Sequence, residues 1–181
     1  ITFIKGENKN SKITYFDDVK LDKTTFGVGF DIHRLIKDKK LYLGGTKVPF
    51  HSGLQGHSDG DVILHAIIDA ILGATQKKDI GTYFPSNKNK FKNIRSPKML
   101  KPIIESLYRN NFTINNLDIN LICQKPSVSK YRNKIINSVS NLMYLDKNKI
   151  NLKGKTVEKL GLIGKEKAIA CEVIISITKY D

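Results

Sequence analysis

The chain has 181 residues, with 31 Lys and Arg against 17 Asp and Glu for a formal charge of +14, and 40% hydrophobic residues; it is long enough for one domain with its own core and too apolar for a disordered tail. Its longest apolar run, Val62 to Leu72, is broken by His65 and Asp69 and falls well short of the roughly 20 residues of a membrane helix. Only four of the basic residues are Arg (Arg34, Arg95, Arg109 and Arg132) and the Lys are scattered, which favours a solvated surface, compatible with an anionic ligand, over a clustered nucleic-acid stripe.

Residues 1–24 are polar, rich in Lys and Asn, and lack the continuous apolar segment of a signal peptide. They are expected to form a loosely ordered extension, read as a presequence remnant, ahead of a single domain over residues 25–181. Phe26 to Leu35 predicts a strand. Leu41 to Leu43 and Val48 to Phe50 predict two more, joined as a hairpin through Gly44-Gly45. Over Asp61 to Ala74, the residues Ile63, Ile67, Ala70, Ile71 and Ala74 recur at helical period, and Ser58 or Asp59 is placed to cap that helix. Pro97 to Arg109 predicts a second helix with Pro in its first turn. A strand over Ile114 to Cys123, a helix over Lys130 to Leu145, and strands over Ile150 to Lys155 and Ala168 to Thr178 complete the order. The interleaving predicts an α+β fold, a mixed β-sheet packed on one face by helices. Cys123 and Cys171 lie inside apolar runs without metal-site spacing and read as buried, reduced thiols.

There are only four His, and three fall close to acidic residues. Asp31 and His33, two apart on a predicted strand, leave the same face. His65 has Asp61 four residues before it and Asp69 four after, so the three share a helix face opposite the Ile stripe. The strand's Asp and His, met by the helix's His, would give two imidazoles and one carboxylate, the three-ligand set of a catalytic zinc site. Asp61 and Asp69 would then orient the imidazole from behind. Spacing alone leaves a second reading open: an exposed Asp-x-His pair and a partly buried helical imidazole. His51, beside Ser52-Gly53, reads as a surface residue. Gly56-His57-Ser58-Asp59-Gly60-Asp61 places an imidazole, a hydroxyl and Gly at a helix start, as an anion site or a plain capping turn. Gly27-Val28-Gly29 has Ile32 where a dinucleotide fingerprint needs its third Gly, and no helix follows. Gly154-Lys155-Thr156-Val157-Glu158-Lys159 joins a cation, a hydroxyl and a carboxylate just after a strand. It reads equally as a site for phosphate with an oxygen-preferring cation such as Mg2+ or as a solvated loop.

These stretches resemble the 2-C-methyl-D-erythritol 2,4-cyclodiphosphate synthase family of the non-mevalonate isoprenoid pathway. The resemblance rests on Gly29-Phe30-Asp31-Ile32-His33, on His57-Ser58-Asp59-Gly60-Asp61-Val62 with Leu64-His65-Ala66, and on Asp69-Ala70-Ile71-Leu72-Gly73-Ala74. It continues through Asp79-Ile80-Gly81 with Phe84-Pro85, Glu158-Lys159-Leu160-Gly161 and Ile169-Ala170-Cys171-Glu172, in the family's order and spacing. The resemblance implies that Asp31, His33 and His65 bind zinc, and that Glu158 helps hold magnesium or manganese between the α- and β-phosphates of the substrate. It makes His57 and Thr156 the catalytic residues, supporting the phosphates in the transition state. Asp79 and Gly81 would meet the polyol or the neighbouring loop, with Ser58, Phe84 and Ser86 also on the substrate. Backbone from Cys123 to Ser129, through Lys125 and Pro126, would enclose cytosine. Lys155, Leu162 and Lys165 complete the implied substrate set. Three positions depart from the family pattern: Ser86 stands where an Asp is usual, Lys155 where a Thr is common, and Lys165 replaces an Arg. Ser86 offers no charge there, and Lys165 no bidentate fork.

The implied reaction is that of a phosphorus–oxygen lyase. The 2-phosphate of 4-diphosphocytidyl-2-C-methyl-D-erythritol 2-phosphate attacks the β-phosphorus in line, closes 2-C-methyl-D-erythritol 2,4-cyclodiphosphate and expels CMP, without a protein nucleophile. Family members are homotrimers with sites between subunits, so a homotrimer is expected here, with no nucleic-acid or membrane partner. The alternatives are a zinc-dependent phosphohydrolase and a basic nucleic-acid-binding module, the latter marked by salt-sensitive DNA or RNA binding without zinc. The pathway runs in bacteria and plastids. The polar extension fits a processed plastid protein, in an apicoplast or chloroplast stroma, with a bacterial cytoplasm as the alternative.

Overall fold

The computed structural model describes residues 23–180, so the expected N-terminal extension lies outside the described residues except for Lys23 and Thr24, which open the first strand. That strand, β1 (Lys23–Lys37), is longer than the sequence pattern suggests because it has partners along its whole length. An antiparallel strand, β7 (Ala168–Lys179), pairs with Lys23 to Arg34, and a short one, β4 (Ser52–Leu54), pairs with Leu35 to Lys37. Ser-Gly-Leu carries a single bulky apolar side chain, so β4 leaves no periodic signal. The expected hairpin forms from β2 (Leu41–Leu43) and β3 (Thr46–Val48), with Gly44 and Gly45 at φ of 58° and 78°. Its second strand starts at Thr46 and not Val48, because a two-residue turn begins the return strand at once.

The remaining elements are α1 (Val62–Ala74), α2 (Ile80–Tyr83), α3 (Ser96–Arg109), β5 (Phe112–Ile122), α4 (Arg132–Met143), β6 (Ile150–Lys155) and α5 (Gly161–Gly164). The main sheet has the order β4-β1-β7-β5-β6, with β5 and β6 parallel and the other neighbours antiparallel, which makes it the mixed sheet that the sequence implies. On one face α1 lies across β1 and β7, α3 packs on α1, and α4 packs on α3. The inward residues of β7 and β5, among them Val173, Ile175, Ile177, Ile114, Leu117, Ile119 and Leu121, are completely buried beneath these helices. The helix α1 is buried on nearly every side, leaving only Asp69 and Gly73 outside its buried set. A helix sandwiched between a sheet and a second helix buries more than the single stripe its period suggests.

Among the described residues, nothing covers the other face of the sheet. Along β1 the even positions Phe26, Val28, Phe30 and Ile32 point outward and are 70%, 60%, 55% and 45% exposed, beside Ile174 of β7 at 45%. The odd positions, Gly27 and Gly29, face α1, and their lack of a side chain sets how closely helix and strand approach. A Cβ at Gly29 would run into the carbonyl oxygen of Ala66, and one at Gly27 into that of Ala70. Gly29→Ala is therefore expected to cost about 1–3 kcal/mol as an overpacked contact. A shift of the urea midpoint to lower concentration at unchanged slope checks this, and an unchanged midpoint contradicts it.

Candidate functional site

Beyond Gly29, the next two odd positions of β1 are Asp31 and His33, so the face that receives α1 ends in a carboxylate and an imidazole. The α1 helix starts opposite them, and His65 lies in its first turn with its N–H bonded to the Asp61 carbonyl at 3.0 Å. Three donor atoms converge. His65 Nδ1 is 2.9 Å from Asp31 Oδ2, His33 Nε2 is 3.2 Å from the same oxygen, and the two ring nitrogens are 3.3 Å apart. The other carboxylate oxygen, Oδ1, is held by the Ile32 N–H at 2.9 Å, which aims Oδ2 at the rings. A tetrahedral ion with ligands at roughly 2.0–2.1 Å keeps its donors about 3.3 Å apart. The triangle of Asp31, His33 and His65 therefore fits a zinc-sized ion, and its nitrogen and oxygen donors suit one.

The two imidazoles differ electrostatically. Burial pushes the His33 pKa below the ordinary value, with His65 and Lys39 adding to this against the pull of Asp31. At His65 burial also opposes the charged form, but the hydrogen bond and charge of Asp31, together with Asp61 and Asp59, outweigh it and raise the pKa. The nearby Lys39 ammonium, pushed down by burial against Asp59, donates to the Ser58 carbonyl at 3.5 Å.

Three expectations about the surroundings are corrected. Asp61 does not orient His65 through its side chain: it is the N-cap of α1, accepting from Ile63 and Leu64 N–H at 3.2 and 3.3 Å. It also ties down the hairpin turn by accepting from Gly44 and Gly45 N–H at 2.8 and 2.6 Å. Neither Ser58 nor Asp59 is the cap. The Ile63 and Leu64 N–H groups are thereby taken by Asp61 and are not free for an anion. Asp69 in turn accepts from Ile80 N–H at 2.7 Å, which fixes the start of α2 beside the site. The groups behind His65 are hydroxyls: Ser58 Oγ at 3.1 Å and Ser96 Oγ at 3.0 Å from Nε2. Ser96 comes from the start of α3, and no spacing rule links it to His65 in the sequence.

The triangle opens into a cavity of about 210 Å³ that is lined also by His57, Ser58, Asp69, Gly81, Phe84 and Ser86, with an apolar wall of Ile80, Phe91, Ile94 and Met99. That wall, built from α2, the segment before α3 and the first turn of α3, has no sequence signal. His57 is exposed at the cavity edge, and its carbonyl is bonded to Asn93 N–H at 2.7 Å. Asp79 caps α2, and the Thr82 N–H at 2.8 Å holds its carboxyl below the usual range.

A separate cavity of about 380 Å³ is lined by Cys123, Lys125, Pro126, Ser127, Ser129, Arg132, Lys155 and Thr156, with four further residues of the same segments. The two cavities have no lining residue in common. Thr156 Oγ1 donates to Glu158 Oε1 at 2.8 Å, and Glu158 lines neither cavity. Leu162 and Lys165 sit in and after α5, exposed, with Leu162 near Ile32 and Arg34 at the end of the open sheet face. Thus one chain brings Asp31, His33, His57, Ser58, His65, Gly81, Phe84 and Ser86 together, and separately gathers Cys123, Lys125, Pro126, Ser129, Lys155 and Thr156. Both cysteines are free and buried, and burial pushes the Cys123 thiol up to about 11.

Residues 24–178 match the YgbB family. A bifunctional enzyme IspD/IspF of Pelagibacter ubique is 54% identical over 182 residues, which is 100% of this chain and 49% of that protein. The chain thus spans about half the length of such bifunctional relatives. A 2-C-methyl-D-erythritol 2,4-cyclodiphosphate synthase of Caldicellulosiruptor bescii is 42% identical over 151 residues, 83% of this chain and 96% of the relative. The solved structure of Plasmodium falciparum IspF in complex with CDP superimposes with a TM-score of 0.78 at 39% identity, over 90% of this chain and 100% of that one. The bifunctional IspDF of Campylobacter jejuni gives a TM-score of 0.84 at 33% identity, over 99% of this chain and 51% of that one.

Proposed function

The chain belongs to the YgbB family, and from that premise we propose that it converts 4-diphosphocytidyl-2-C-methyl-D-erythritol 2-phosphate to 2-C-methyl-D-erythritol 2,4-cyclodiphosphate with release of CMP. The observation that carries this reading is the convergence of Asp31, His33 and His65, whose donor atoms all lie within 4.8 Å of one another. Zinc held by these three, and magnesium or manganese held with the help of Glu158, would neutralise and orient the diphosphate. The chain's own residues do the rest. His57 donates to the phosphate oxygens as charge moves across them, Thr156 does so once its hydroxyl is released from Glu158, and Ser58 hydrogen-bonds a phosphate at the cavity floor. Asp79 and Gly81 meet the polyol, and the Cys123–Ser129 segment encloses the cytosine. Ser86, Lys155 and Lys165 contact substrate with altered polarity at the three departures. The substrate's own 2-phosphate forms the new P–O bond while the bond to CMP breaks, so the protein supplies position and charge and no nucleophile. That chemistry makes it a phosphorus–oxygen lyase.

The site as proposed is shared between subunits of a homotrimer. Two observations support this: the metal-side and base-side cavities are separate, and the apolar face of β1 has no cover among the described residues. The CDP complex of the Plasmodium falciparum relative supports a cytidine diphosphate as the ligand. For the compartment, a plastid is proposed, with a bacterial cytoplasm as the alternative.

Metal removal tests the reading. Treatment with a strong chelator is expected to abolish CMP release, and added zinc to restore it. CMP release that continues at its original rate in protein shown to be metal-free contradicts it.

A further inference from the structure

The metal centre proposed above needs His65 to present a bare Nδ1, and we infer that Ser96, directed by Asp59, is the positioning residue that holds the ring in that state. The inference rests on the metal reading and adds the group behind the ligand. A neutral imidazole carries one N–H. Nδ1 points into the donor triangle, 2.9 Å from Asp31 Oδ2, and with a metal on that nitrogen the hydrogen belongs on Nε2 and needs an acceptor there.

Two hydroxyls lie within reach of Nε2, and a hydroxyl can accept or donate. Ser96 has no such freedom. Its O–H donates to Asp59 Oδ1, which also takes the Ser96 N–H at 3.2 Å. The other oxygen, Asp59 Oδ2, accepts from Arg95 Nε at 2.6 Å, and the Arg95 guanidinium lies 3.7 Å from the Tyr42 ring centroid. Both Asp59 oxygens are thus occupied as acceptors. With its hydrogen committed to Asp59, Ser96 Oγ turns a lone pair to His65 and accepts Nε2–H at 3.0 Å. The alternative tautomer, with hydrogen on Nδ1, would set the Nε2 and Ser96 Oγ lone pairs against each other.

Ser58 plays a different part. Its Oγ accepts from Gly60 N–H at 3.1 Å and it lines the cavity, so its own hydrogen is free to meet an anionic substrate. Ser96 is completely buried and does not line the cavity, so it acts on the reaction only through His65. The Asp59–Arg95 pair and the Ser96 contact also fasten the loop before α1 to the start of α3, so the ring is positioned by two elements at once.

The test uses the zinc-loaded chain with 15N-labelled His, with zinc affinity read by chelator competition and the His65 Nε2–H followed by NMR. Ser96→Ala is expected to raise the zinc dissociation constant about 10–100-fold, as loss of a partner behind a ligand does, and to shift the Nε2–H resonance and speed its exchange. Asp59→Asn is expected to weaken binding less, since one amide oxygen is left for both Arg95 and Ser96. Unchanged affinity and an unchanged Nε2–H signal in folded Ser96→Ala overturn the inference and leave the metal reading standing. If Ser96→Ala does not fold, the unsubstituted chain decides: slow exchange of Nε2–H supports the bond, and exchange at the rate of free imidazole overturns it. An unsubstituted chain that takes up no zinc overturns the metal reading itself, and this inference with it.

Discussion

His33→Ala and His65→Ala are each expected to lose zinc and to lower CMP release by more than about 100-fold, the most that loss of a partner behind a ligand costs. The two rings supply two of three donors, and no other carboxylate, thiolate or imidazole among the described residues joins their cluster to take over. His65→Ala carries a second cost, because His65 is only 8% exposed and its removal leaves Ser58 and Ser96 without their shared partner. His57 marks the contrast. It lines the cavity and stands outside the donor cluster, so His57→Ala is expected to keep its zinc and lose turnover. Metal analysis beside the CMP assay separates the two classes. Full zinc content in both His33→Ala and His65→Ala removes the assignment of ligands.

The second large effect is expected from the open face of the sheet. Phe26→Glu with Val28→Glu puts charge on side chains that are 70% and 60% exposed in one chain. A single chain should tolerate this with little change in its own stability, since none of the described residues covers those positions. A trimer that buries them should not, because an unpaired buried charge is costly. The double variant is therefore expected to sediment as a monomer, to keep one zinc, and to lose at least about 100-fold in CMP release, as misplacing a substrate-binding segment does. Complementation gives the same result from the other side. Chains carrying His65→Ala, mixed one to one with chains disabled in the Cys123–Ser129 segment and reassembled, should regain activity at about one quarter of the interfaces. A fully active monomer, or mixed trimers that stay inactive, would mean that each site is built within one chain.

Much of the centre could be read from spacing, and the reasons are local. Asp31 and His33 share a face because a strand alternates, and His65 falls on a helix because Ile63, Ile67, Ala70 and Ile71 recur at its period. The Gly44-Gly45 turn was equally legible. What escaped depends on contacts distant in sequence. Nothing near Asp59 points to Ser96, its partner across 37 positions. The relation between Asp61 and His65 follows a helix-face rule, but that rule cannot tell that the carboxylate folds back onto its own helix start and the hairpin. Elements of three or four residues, such as β4, α2 and α5, are too short to carry a period. The orientation of β1 inverts the usual rule. Its bulky apolar residues face away from the helices and its glycines face the core, because α1 lies too close to the strand for a side chain. From alternation alone, Phe26, Val28, Phe30 and Ile32 would be assigned to the chain's own core; they are exposed instead.

The most direct measurement is the identity of the phosphorus products. The purified chain, loaded with zinc and given magnesium, is incubated with 4-diphosphocytidyl-2-C-methyl-D-erythritol 2-phosphate and followed by 31P NMR. Equal amounts of CMP and a cyclic diphosphate are expected, because the 2-phosphate displaces CMP from the β-phosphorus. CMP with an open 2,4-bisphosphate would show that water is the nucleophile and the protein a hydrolase. Unchanged substrate with fully zinc-loaded trimers would contradict the proposed reaction altogether.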